Sequence, residues 1–185
     1  MVEVKGYKAF NKDETNRYGM PFTVGKTYYT KGELKFGNNG NGWHMCTALS
    51  DVFRYVNAME EDVIVAEVTG RGAFIRRDDD YNGYYDMYCF EEMTIDKFLT
   101  RDEIIDKMLA SPPHEVLKFL STCRLSEEEK MLFLKKFRND FGVIRSLLYY
   151  HFDYLDIYNN YSSAEKQIRK VLMYGQDNNK GCKRK

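Results

Sequence analysis

The chain has 185 residues, 43% hydrophobic and 30% charged, a balance that excludes a disordered polymer and suits one or two small folded cores. Its net charge of zero argues against a strongly basic nucleic-acid binder, yet it hides a division: residues 1–50 carry +3, residues 51–100 carry −7 and residues 101–185 carry +4. Fifteen Tyr and 12 Phe stand against one Trp, an excess that suits small cores and contact surfaces, because tyrosine buries its ring and keeps its hydroxyl wet.

In chain order, Val4 to Phe10 reads as a short strand, and Phe22 to Tyr29 as a second, interrupted at Gly25-Lys26. Gly37 to Gly42 is rich in Gly and Asn, residues that tolerate positive φ, and reads as a loop. Trp43 to Thr47 follows as a strand. Thr47 is placed to cap a helix in which Leu49, Val52, Phe53 and Val56 share a face. Val63 to Val68 is β-branched and reads as a buried strand, with Ala73 to Arg77 resuming after Gly70-Arg71-Gly72. A turn-rich stretch, Asp78 to Asp86, leads into a last strand, Met87 to Phe98.

From Thr100 the grammar turns helical. Three capping boxes mark helix starts, at Thr100 and Glu103, Ser126 and Glu129, and Ser162 and Glu165, where hydroxyl and glutamate each satisfy a backbone N–H. Pro112-Pro113 stops one helix and opens the next, while Gly142 and Gly175 stand where C-terminal caps belong. Ile144, Leu147, Leu148, His151 and Leu155 form an apolar stripe on one helix. The expectation is an α+β chain: a compact antiparallel β-module with one packed helix over residues 1–100, a small irregular helical bundle over 101–175, and a basic, disordered tail over 176–185. Met1 to Lys5 lacks the apolar core of a signal peptide, and no apolar run nears the ~18 residues that span a bilayer. With Cys46, Cys89, Cys123 and Cys182 too scattered for a C-x-x-C pair, the expectation is reduced thiols in the cytoplasm, the host's if a phage encodes the chain, and no membrane partner.

Few residues are grouped for chemistry. His44 and Cys46 point to one side of a strand, but a lone H-x-C lacks a second pair at zinc spacing, and Cys89 completes a set only if the fold brings it near. The simpler reading is two cysteines buried as small hydrophobes, a histidine held by hydrogen bonds, and no metal. His114 follows Pro113 at a helix start and needs no chemical role. Glu91 and Glu92 fall on opposite faces by strand alternation, so at most one can enter a pocket, and a charged pair of this kind is an edge or surface feature. Tyr150, Asp153 and Tyr154 lie off the apolar stripe and read as contacts for a protein partner, with a helix from Ser163 to Tyr174 as the competing cover.

The strings Gly6-Tyr7-Lys8-Ala9-Phe10, Val24-Gly25-Lys26-Thr27-Tyr28, Gly42-Trp43-His44-Met45-Cys46 and Val65-x-x-Val68-x-Gly70 resemble an uncharacterised domain of bacterial and phage proteins, over about the first hundred residues. Asn16 stands where members often carry a cysteine. The resemblance supplies no activity and leaves the helical part uncovered. The order of elements is also similar to that of ADP-ribosyltransferases, which implies NAD as substrate, with Lys8 in place of the usual Arg or His and Glu91 or Glu92 as the charge-stabilising carboxylate. No Ser-Thr-Ser follows in the middle strand. The function expected is that of an accessory or inhibitory protein of phage or mobile-element type that binds another macromolecule, a protein first, and needs no cofactor, with catalysis left open. The alternatives are an NAD-using transferase and, behind it, nucleic-acid binding through Lys166 to Lys185.

Overall fold

The computed structural model describes residues 2–10, 21–37, 40–55, 64–78 and 86–152. The fold is α+β, with a five-stranded antiparallel sheet and five α-helices among the described residues. By contacts it divides into two compact units, one ending at Ser111 and the other beginning at Pro112.

In the first unit, β1 (Glu3–Phe10), β2 (Thr27–Tyr29), β3 (Trp43–Cys46), β4 (Ile64–Asp78) and β5 (Asp86–Leu99) run in the order β2-β5-β3-β1-β4. β4 and β5 also pair with each other, so β1, β4, β5 and β3 close into a ring of antiparallel pairs. Alternation sends one side chain in two into that ring. Phe10, Met45, Ala66, Val68, Phe90, Met93 and Ile95 form its core together with Phe22 and Tyr28. Gly70 has a steric cause: a Cβ there would lie 2.3 Å from the Phe90 ring, so only glycine lets the ring rest on the backbone.

Three local expectations are corrected. Gly70-Arg71-Gly72 does not interrupt the sheet; β4 runs through it for 15 residues, with a register shift between Arg71 and Phe74. Glycine absorbs the extra residue as a bulge, with Gly72 at φ 82°. Within Phe22 to Tyr29 only Thr27–Tyr29 is strand. The helix after β3 is α1 (Leu49–Val52), continued by one 3₁₀ turn (Phe53–Tyr55), and its N-cap is Ala48, with no side-chain cap from Thr47.

The first unit ends in α2 (Arg101–Ala110), whose Ile104, Ile105 and Met108 are buried. Thr100 and Glu103 close the predicted capping box at its start. In the second unit, α3 (Pro113–Leu120), α4 (Glu127–Lys136) and α5 (Phe141–His151) bury Val116, Phe119, Leu120, Phe133, Leu134, Val143, Ile144 and Leu147. The Phe119, Phe133 and Phe137 rings stack in sequence at 5.9 and 6.2 Å. Ser126 and Glu129 close the second capping box. The third, at Ser162, lies outside the described residues, as does Gly175. Gly142 caps no C-terminus: it sits in the first turn of α5, whose N-cap is Asp140 through a 2.9 Å bond from the Val143 N–H. An aspartate can accept that orphan N–H and a glycine cannot.

Candidate functional site

The four strings singled out in the sequence meet in the first unit. Gly6 packs on β3 so closely that a Cβ would lie 2.3 Å from the Cys46 carbonyl oxygen. Lys8, two residues on and on the same face of β1, donates from Nζ to the His44 carbonyl at 2.9 Å, with its ammonium 5.9 Å from the Phe10 ring. The Gly25 N–H bonds to the Ile95 carbonyl at 2.7 Å and holds β2 to the end of the ring. Tyr28 accepts the Thr23 N–H on its hydroxyl, and Lys26 lies 5.1 Å over its ring. Trp43 meets the Phe22 and Tyr28 rings at 5.9 and 5.7 Å. Its indole Nε1 is buried with no hydrogen-bond partner among the described residues.

The fold does bring Cys89 beside His44, since the two are cross-strand partners, and Cys46 is two residues along on the same face. Cys46 and Cys89 are both buried, as small hydrophobes are. The Cys89 thiol donates to the Asn41 carbonyl at 3.3 Å, and Phe36 covers the His44 ring at 5.4 Å. Among the described residues no group of three or more His, Cys, Asp and Glu side chains is arranged to hold a metal ion. Burial pushes the Cys89 thiol up to about 11, against a partial counter-effect from Lys8. A thiol held neutral to that pH is a poor nucleophile at pH 7.

Asn41 is what the sequence reading missed. Its side chain donates to the Lys31 and Glu33 carbonyls at 2.9 and 3.0 Å and accepts from the Thr30 hydroxyl at 2.6 Å, while its backbone bridges Lys35. The glycine-rich stretch is therefore pinned by one amide. Asn in such a loop tolerates positive φ, but its side-chain donors and acceptor, which can bond the backbone, are the signal that marks it as an anchor.

Glu92 stands in one row with Tyr29, Arg71 and Glu3, and Lys8 reaches β3, with its Nζ on the His44 carbonyl. β5 is no edge at Glu92, which has Tyr29 on one side and Arg71 on the other, while Glu91 is exposed at the surface. Simple alternation also fails here. Phe90 and Met93, three apart, are both fully buried in the same core. A Cβ at Gly72 would meet the Glu91 carboxylate at 3.1 Å and the Glu92 Cγ at 3.7 Å, so the two glutamates flank the same bulge. The bulge places an extra β4 residue opposite Glu91.

In the second unit Tyr150 is 43% exposed, and Tyr149, which the sequence reading did not select, is 79% exposed. Their rings meet edge to face at 4.9 Å. On the predicted stripe Ile144 and Leu147 are buried, Leu148 and His151 are half-buried, and the His151 ring bonds through Nε2 to the Leu120 carbonyl at 2.7 Å. His114 is exposed at the start of α3. Asp153, Tyr154, Leu155 and the basic stretch Lys166 to Lys185 lie outside the described residues. No described helix is long and apolar enough to cross a membrane.

Comparison with known families matches the model of a domain of unknown function, DUF7666, over residues 4–107, more than half of the chain and, Glu3 apart, the five described strands. No curated protein and no solved structure matches.

Proposed function

We propose, for a chain that belongs to the DUF7666 family and so takes no assigned activity from it, that its work is to bind another protein. The carrying observation is the exposed Tyr149–Tyr150 pair on α5. Two adjacent rings offer large apolar area with little rotamer entropy to lose, which is what interface anchors need. Met131, Leu132 and Phe141 add exposed apolar area in the same unit. In the sheet unit the reactive groups are engaged in holding the fold: the Lys8 ammonium bonds a carbonyl, and the Cys89 thiol is buried. The reading extends to an accessory or inhibitory protein of phage or mobile-element type acting in the cytoplasm.

The test replaces Tyr149 and Tyr150 with Ala, singly and together. The double variant is expected to lose the native partner captured by the wild-type chain, with a melting temperature within about 2 °C of wild type, since truncating exposed side chains costs little packing. Retention of that partner at undiminished affinity would sink the proposal, and a fall of many degrees would reassign the rings to the core.

A further inference from the structure

α5 holds one arginine, Arg145, and no acidic residue. Phe141, Arg145 and Tyr149 recur every four residues, so they share one side of the helix, within an arc of about 80° at ~100° per residue. All three are exposed, Phe141 by 45% and Tyr149 by 79%. The positions from which an acid on α5 could meet Arg145, three and four residues away, hold Phe141, Gly142, Leu148 and Tyr149. Among the described residues no carboxylate pairs with Arg145. Lys135 and Lys136 at the end of α4, and Arg138 just after it, are exposed as well. From Met131 to His151 the chain thus carries four Lys and Arg against one acid, Asp140, whose carboxylate is engaged as the N-cap of α5.

We propose that Arg145 selects the partner: the exposed side of α5 takes an acidic amphipathic helix of another protein, whose carboxylate meets the guanidinium while its apolar side packs on Phe141 and Tyr149. The proposal rests on the reading that α5 binds protein, and it adds the chemistry of what is bound. Tyrosine and arginine are the side chains that anchor interfaces, and a guanidinium matches a carboxylate through two parallel N–H···O bonds. Rings on both sides of Arg145 keep water from such a pair and so strengthen it. A helix is the fitting shape, because the backbone of α5 is bonded within itself and offers only a side-chain stripe at helical spacing. A second copy of this chain is the poorer occupant, since its α5 brings another arginine and no acid.

The test uses the full chain and two labelled helical peptides that share one leucine stripe, flanked by glutamate in one and by lysine in the other. Binding is read by fluorescence anisotropy at low salt. The glutamate peptide is expected to bind saturably and about tenfold or more tightly than the lysine peptide, because like charges across an interface are rejected. Arg145→Glu should reverse that order with a melting temperature within about 2 °C of wild type, since an exposed side chain without partners carries little stability. Should that variant misfold, Arg145→Gln should still remove the preference. Three results would each overturn the proposal: no binding of the glutamate peptide to folded wild-type chain, equal binding of the lysine peptide, or an unchanged preference in the Arg145 variants. Two other occupants would overturn it as well, shown by a wild-type dimer in sedimentation that the peptide does not dissociate, or by Arg145-dependent binding to phosphatidylserine vesicles and none to the peptide. Replacing Tyr149 and Tyr150 with Ala should weaken both peptides. If it does and the Arg145 variants keep the preference, the acidic partner falls and the protein-binding reading of α5 stands; if those tyrosine variants retain the captured native partner, that reading itself falls.

Discussion

In the sheet unit the residues with the tightest surroundings are small or ring-bearing and point inward: Gly6 lies on the Cys46 carbonyl, Gly70 lies under Phe90, and Phe10 meets Phe22 at 4.6 Å. In the helical unit Phe119 and Phe133 are just as buried, but two tyrosines of α5 stand outside. In the first unit β1 and β3 are held by pairings between residues 39 to 68 apart in sequence, so its specificity lies in which surfaces can approach. The second is built from helices whose starts are written locally. Positions that matter most for the sheet unit are therefore glycines, and those for the helical unit are caps and apolar stripes.

The largest expected effect comes from cutting the sheet unit short. Ending the chain at Thr100 removes α2 with its buried Ile104, Ile105 and Met108, together with the Lys107–Glu67 ion pair at 2.8 Å. Burial of three such side chains contributes about 5 kcal/mol or more, comparable to the whole stability of a small domain. A chain ending at Ser111 should melt cooperatively and one ending at Thr100 should be unfolded by circular dichroism; two equally stable fragments would break the assignment of α2 to the sheet.

Gly6→Ala should cost about 3 kcal/mol in urea unfolding, because the added Cβ meets a backbone carbonyl that cannot swing aside. A cost below about 1 kcal/mol would mean that β1 and β3 approach less closely than the register implies.

Cys89 gives a pH signature confined to the sheet unit. Its folded-state pKa is raised from 9.0 to about 11, so the unfolded chain releases the proton first as pH rises. The thiol's contribution is fully present below pH 9 and is lost as pH climbs toward 11, by up to about 3 kcal/mol. Wild type should thus lose stability relative to Cys89→Ala over that window, and a constant difference from pH 8 to 11 would refute the burial argument.

The smallest effect is expected in the helical unit. Ser126→Ala removes the hydroxyl that accepts the Glu129 N–H at 3.2 Å and should cost about 1 kcal/mol in a thermal melt.

The sequence by itself determined whatever depends on neighbours along the chain. The capping boxes at Thr100 and Ser126, the proline-opened helix at Pro113 and the apolar face through Ile144 and Leu147 follow from hydrogen bonds and periodicities spanning three to seven residues. The α+β class and the limits of β1, β3 and β5 to within a residue or two were legible for the same reason. Only the tertiary structure decided that β4 runs through Gly70 to Gly72, that Glu91 and Glu92 flank one bulge, and that Lys8 bonds the His44 carbonyl. Tertiary structure also decided that Asn41 anchors a loop. Each of these depends on register between strands distant in sequence. A single bulged residue shifts that register and turns the side chains beyond it to the other face, and no local pattern records the shift.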